Sequence, residues 1–171
     1  MRKAVMLSIR PKWVEKIASG EKTIEVRKTK PKLETPFKCY IYCTLPKYPH
    51  EDFIATDYPR PQFYGGKVVG EFTCDQIIDA WWDYVPDAIT REVTGGNLEA
   101  LDGIGMTDEE LFSYVGDSMR GHCYGWHISD LLIYDQPKGL DEFTRLRETK
   151  FGSEPVTIKR APQSWCYVEE G

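Results

Sequence analysis

The sequence contains no run of about eighteen apolar residues, so no transmembrane helix is expected. Its five cysteines include no CxxC pair, and an odd, unpaired set fits a reducing compartment better than a disulfide framework. Histidine is scarce. His50, His122 and His127 show no ligand spacing matched by a second pair, so neither a metal nor a cofactor is expected. Gly95-Gly96 is not followed by the Lys-Ser/Thr of a phosphate loop and reads as a turn. Internal repeats and low-complexity tracts are also lacking. The opening Met1–Leu7 is basic and then apolar, but Arg10, Lys12 and Lys16 break the apolar stretch. That pattern is too short for a signal peptide, which leaves the cytoplasm as the expected compartment.

What is present is a globular composition, 41% hydrophobic and 13% aromatic over 171 residues. That length suggests one domain, residues 1–171, able to bury a core without staples. The net charge of −5 conceals a partition. Residues 1–47 carry 12 Lys/Arg against 4 Asp/Glu, residues 48–142 carry 5 against 19, and residues 143–171 carry 5 against 4. A basic face able to meet phosphates and an acidic face that would avoid them is one reading; two solvated surfaces without a partner is the other.

Residue spacing sets out the elements. Val5–Ile9 reads as a strand. Pro11 then opens a helix with Trp13, Val14, Ile17 and Ala18 on its apolar stripe, and Gly20 stops it. Thr23–Arg27 alternates, with Ile24 and Val26 on one face and Thr23, Glu25 and Arg27 on the other. Phe37–Thr44 alternates as well, which makes Cys39 and Cys43 core residues. Residues 45–66, rich in proline, read as a loop insertion. A strand is expected from Lys67 to about Ile78. An acidic helical insertion over about 79–120 follows, with a capping box at Thr107-Asp108-Glu109-Glu110. Trp126–Tyr134 reads as a strand stopped by Pro137, Leu140–Arg147 as a short helix, and Ser164–Val168 as a last strand. The expected class is α+β, a small mixed β-barrel, open or closed, flanked by helices, with the helical insertion before the last strands.

The chemistry concentrates in Gly20–Arg27. Lys22 follows the helix stop, and Glu25 and Arg27 share a strand face, so an ammonium, a carboxylate and a guanidinium come together in one short unit. Such a unit can hold a phosphate or a base edge, Arg as a planar fork of donors and Lys as a compact charge. It also fits an ordinary surface ion-pair ladder. Tyr124 and Trp126 share a strand face, and either could stack on a base or serve the core. The Ser164 hydroxyl could reach a ligand or sit on an edge strand.

Leu7-Ser8-Ile9-Arg10-Pro11 followed by Gly20-x-Lys22-x-x-Glu25-x-Arg27 resembles the opening of the ASCH domain (activating signal cointegrator homology). The hallmark GxKxxExR of that family is present without a gap. Val68–Phe72, Tyr124–Ser129 with Pro137, and Ala161–Val168 resemble its later blocks, so the resemblance spans nearly the whole chain. It implies a PUA-like barrel with a cleft between barrel and first helix, floored by the hallmark residues. It further implies a partner that is RNA or a nucleotide-like small molecule, with no membrane involved. The ligand set expected from residues and resemblance together is Ser8, Lys22, Thr23, Glu25, Arg27, Tyr124 and Ser164. Some small members are amidohydrolases of a modified cytidine, using the hallmark Lys, a Thr three residues on and a later Glu. Of these the chain matches the Lys, at Lys22, while Glu25 stands in place of the Thr. A hydrolase using Lys22 and Glu25, with Glu71 as a distant third candidate, is therefore the alternative to binding. A protein-interaction domain built on the acidic 79–120 segment is the third reading.

Overall fold

The computed structural model describes residues 2–45, 65–84, 93–116 and 120–171. Most of the expected 45–66 loop insertion lies outside the described residues. Nine strands and two helices follow in the order β1 (Lys3–Ile9), α1 (Pro11–Ala18), β2 (Ile24–Arg27), β3 (Phe37–Cys43), β4 (Lys67–Tyr84), β5 (Val93–Gly96), α2 (Asp108–Val115), β6 (Arg120–Lys138), β7 (Thr144–Thr149), β8 (Gly152–Thr157) and β9 (Trp165–Glu169). The main sheet runs β2-β6-β4-β3-β1-β9, with β5 pairing on β4, and β7–β8 form a separate ribbon. The β1–β3 pair is parallel and the remaining pairs are antiparallel.

This is the mixed α+β architecture that the element pattern predicts. The sheet is not closed into a barrel, however: β2 and β9 end the strand order and no ladder joins them. Side chains cross that seam instead. The Arg27 guanidinium of β2 donates to the Ser8 carbonyl of β1 at 2.9 Å and to the Ser164 carbonyl and hydroxyl beside β9 at 3.1 and 3.2 Å. Trp165 Nε1 donates to Thr29 Oγ1 at 2.9 Å, and the Lys32 amide donates to the Tyr167 hydroxyl at 2.7 Å.

Helix α1 begins at Pro11 because its missing N–H is not needed at that position. It ends before Gly20, whose φ of +80° is the left-handed geometry that turns the chain into β2. Val14 and Ile17 pack on Leu7, Ile41, Phe72 and Trp126, the main core between α1 and the sheet. On the opposite face Met6, Tyr40, Phe143 and Val168 form a second cluster. A third cluster gathers Ile24, Val26, Trp82, Leu101 and Leu111 at the far end of the β4–β6 hairpin. Cys39, Cys43, Cys74 and Cys123 are buried in these clusters, as the strand alternation indicates for Cys39 and Cys43.

Three expectations are corrected. Strand β4 does not end near Ile78 but runs to Tyr84, pairing with β6 as far as Asp83↔Arg120. The expected helical insertion is thus partly a long hairpin, and Trp82 fits because Gly121 across the ladder has no Cβ; one built there would stand 1.8 Å from the indole. Strand β6 also passes Pro137 and ends at Lys138, where a missing N–H at the end of a strand is tolerated. Leu140–Arg147 is not a helix. Only Leu140–Glu142 makes a 3-10 turn, and the chain then enters β7.

Candidate functional site

Helix α1, β2 and α2 enclose a cleft of about 1070 Å³ with Lys22, Glu25 and Arg27 in its lining. The side chains of these three residues are 1%, 8% and 7% exposed. This excludes an ordinary surface ladder: ion pairs of solvated side chains have little effect, whereas burying three charges needs close compensation. The Glu25 carboxylate supplies much of it. One oxygen lies 3.3 Å from Lys22 Nζ and the other 2.9 Å from the Arg27 guanidinium. Two cations against one anion leave the buried cluster with one net positive charge.

The supports of this cluster come from distant parts of the chain. Lys22 Nζ donates to the Ile104 carbonyl at 2.6 Å, and Lys16 Nζ to the Gly105 carbonyl at 3.0 Å. The Thr23 amide donates to the Gly103 carbonyl at 2.8 Å. A single loop, Asp102–Met106, therefore fixes the turn that carries the motif. Gly103 and Gly105 allow this, at φ of +103° and +64°, with the Lys22 Cβ 3.2 Å from where a Cβ on Gly105 would stand. Thr107 and Glu110 then cap α2 reciprocally, so the capping box predicted from sequence anchors one wall of the cleft.

Burial lowers the proton affinity of Lys22 below the ordinary lysine value of 10.5. Glu25 opposes this shift and is outweighed, while Arg27 and Lys16 add to it. Arg27 makes its donations to Ser8 and Ser164 and its contact to Glu25 through the terminal nitrogens, and its buried Nε has no acceptor among the described residues. A buried donor without a partner is costly, and this atom is sealed from solvent.

The structure brings Ser8, Lys22, Glu25, Arg27 and Ser164 together in the cleft lining. It does not bring Thr23 or Tyr124 there. Thr23 is exposed and faces Gly103. Tyr124 lies opposite Arg27 across the strands but packs on the main core, edge-on to His122, with Lys30 over its ring. Trp126 is wholly buried against Phe37. Glu71 is on the other side of the sheet with Lys38 and Tyr134. Sequence reasoning missed two residues in the lining: Trp13, with Lys22 Nζ 5.5 Å from its ring centre, and Tyr114, with Lys28 Nζ 5.5 Å from its own. Trp13 was hidden in the stripe of α1, where it and Ala18 are the stripe residues left half-buried. Among the described residues, no group of His, Cys, Asp and Glu is placed to hold a metal, and no helix is long and apolar enough to cross a membrane.

No family model and no curated protein matches the chain. Solved structures of an ASCH protein from Zymomonas mobilis are similar in fold. One matches with a TM-score of 0.52 at 16% identity, covering 98% of this chain and 88% of that one. A tyrosine-to-phenylalanine variant of that protein gives 0.53 at 16% identity, with 99% and 92% covered. A serine-to-alanine variant gives 0.50 at 17%, with 99% and 90% covered. The chain thus has the ASCH fold.

Proposed function

We propose that this protein belongs to the ASCH family and that its cleft binds RNA through one nucleotide unit. The observation that carries this reading is the buried Lys22–Glu25–Arg27 cluster, in which two cations share one carboxylate and keep a net positive charge. A phosphate or a base carbonyl entering the cleft would meet that net positive charge. Two aromatic rings, the half-buried Trp13 of α1 and the exposed Tyr114 of α2, offer stacking faces on the walls. Arg10, Lys12 and Lys28 at the rim outnumber Glu109 and Glu110, so the entrance also favours an anion. The test is titration of a fluorescent uridine dinucleotide at low salt. Saturable binding that Lys22→Met weakens about tenfold or more is the expected outcome. Absence of binding by the unaltered protein would reject the reading.

A hydrolase is the second reading, favoured by the lowered proton affinity of Lys22. Burial makes the ammonium easier to deprotonate, and the neutral amine so formed can take a proton or attack a carbonyl. Against it, the same Nζ is donated to the Ile104 carbonyl and to Glu25. Turnover of a modified nucleoside or RNA that disappears in both Lys22→Ala and Glu25→Gln would support catalysis by this pair; turnover surviving both would exclude it.

A further inference from the structure

We infer that the protein holds a single-stranded RNA of several nucleotides, with the strand leaving the cleft along a second basic hollow under the β7–β8 ribbon. This rests on the cleft reading above. The second hollow, about 700 Å³, is lined by Arg145 and Arg147 of β7 and by Lys159 and Arg160 of the segment leading to β9, with no carboxylate in its lining. Arg147 is paired with Glu154 across the ribbon. Arg145, Lys159 and Arg160 are exposed and have no carboxylate partner among the described residues. Three cations on one concave surface repel each other, and no carboxylate among the described residues pairs with them. A row of phosphates would, with release of their counterions.

The two concavities lie on either side of one ridge, Pro162–Ser164. Pro162 lines the hollow, while Gln163 and Ser164, the next two residues, line the cleft. Two residues span at most about 7 Å. Ser8 Oγ donates to the Pro162 carbonyl at 2.6 Å and pins this ridge to the cleft floor. Ser164 is also the residue that receives Arg27. A strand with one unit seated at Arg27 therefore meets Arg145, Lys159 and Arg160 with its neighbouring phosphates. Stacking faces in the cleft and bare cations outside it suit a chain with bases on one side and charges on the other. An acidic peptide has only the charges.

The experiment uses the full chain with labelled oligouridylates of two and ten nucleotides, and a triple variant, Arg145→Gln, Lys159→Gln and Arg160→Gln. Exposed charge substitutions of this kind leave the fold intact, which a thermal melt verifies. The unaltered protein is expected to bind the ten-nucleotide strand at least thirtyfold more tightly than the dinucleotide. The triple variant is expected to lose at least tenfold on the long strand only. Its log–log salt slope should become shallower by about 2, from three phosphates at about 0.7 each. If the triple variant binds the long strand as the unaltered protein does, the second hollow is not used, while the cleft reading stands. Equal losses on both lengths would also overturn the proposal. Failure of the unaltered protein to bind either length would reject the cleft reading and this inference with it. Displacement of the long strand by polyglutamate of equal charge, as effectively as by unlabelled RNA, would overturn the assignment to nucleic acid.

Discussion

Two carboxylates, Glu25 and Glu71, sit on opposite faces of the same sheet, each beside a lysine and a second donor. Glu71 accepts from Lys38 at 3.0 Å and from the Tyr134 hydroxyl at 2.5 Å, with its side chain 21% exposed. Glu25 is held by Lys22 and Arg27 at 3.3 and 2.9 Å, with its side chain 8% exposed. The Glu71 group is neutral overall and partly open to water. The Glu25 group carries a net positive charge in a dry setting and keeps a donor without an acceptor. A charged cluster that only ties strands together resembles the first. The second retains a charge and a hydrogen bond that the chain itself does not satisfy, which is the condition a binding site needs.

The largest way to break the comparison is at the carboxylates. Glu25→Ala leaves two buried cations facing each other and is expected to lower stability by about 3–5 kcal/mol in urea unfolding. Glu71→Ala is expected to cost about 1–2 kcal/mol, the loss of a hydrogen-bonded partner near the surface. Equal costs would remove the distinction. Next come the lysines. Lys22→Met is expected to weaken dinucleotide binding about tenfold, roughly 1.4 kcal/mol. Arg27, by contrast, also holds the seam, so its loss would mix binding with stability.

The lysines differ in sign as well. The folded-state pKa of Lys22 is lowered by burial, so between that value and 10.5 the unfolded chain binds more protons, and the Lys22 contribution to stability rises with pH. Anion affinity falls over the same window as the charge disappears. Lys38 is raised above 10.5, first by its hydrogen bond to Glu71. Its contribution is full below 10.5 and is lost as pH rises through the raised value. Unfolding curves measured across alkaline pH on Lys22→Met and Lys38→Met should therefore shift in opposite directions relative to the unaltered protein. Tyr134→Phe is a smaller change, about 1 kcal/mol with no effect on dinucleotide affinity. Smallest is Thr23→Ala, expected within about 0.5 kcal/mol and neutral for binding because the side chain is exposed outside the cleft. A marked binding loss there would restore Thr23 to the ligand set.

Much of the site was legible in the sequence because it is local. Lys22, Glu25 and Arg27 lie within six positions, and strand alternation alone puts Glu25 and Arg27 on one side. The stop at Gly20 and the cap at Thr107 are equally local signals and are found as read. What was illegible depends on distant partners. The β7–β8 ribbon has charged residues on both faces, Arg145 and Arg147 against Glu154 on one and Glu148 on the other, so no period of two marks it. The extension of β4 to Tyr84 relies on Gly121 making room for Trp82 nearly forty positions away, a fit that neither segment advertises. Tyr114 looks like any polar-side residue of an amphipathic helix until α2 is packed across the cleft. The resemblance to a family supplied Ser8 and Ser164, which no local pattern marks as partners of Arg27.

The Arg27–Ser164 contact joins residues 137 positions apart. Every hallmark residue is made early, yet the pocket wall that receives the guanidinium comes with the strand that pairs beside β1 last, Leu7↔Trp165. A nascent chain emerging from the ribosome therefore carries the whole recognition motif long before it can use it. Contacts this remote also close slowly. During synthesis the cleft therefore stays incomplete until β9 has docked beside β1, so the site is finished only when that long-range pairing closes.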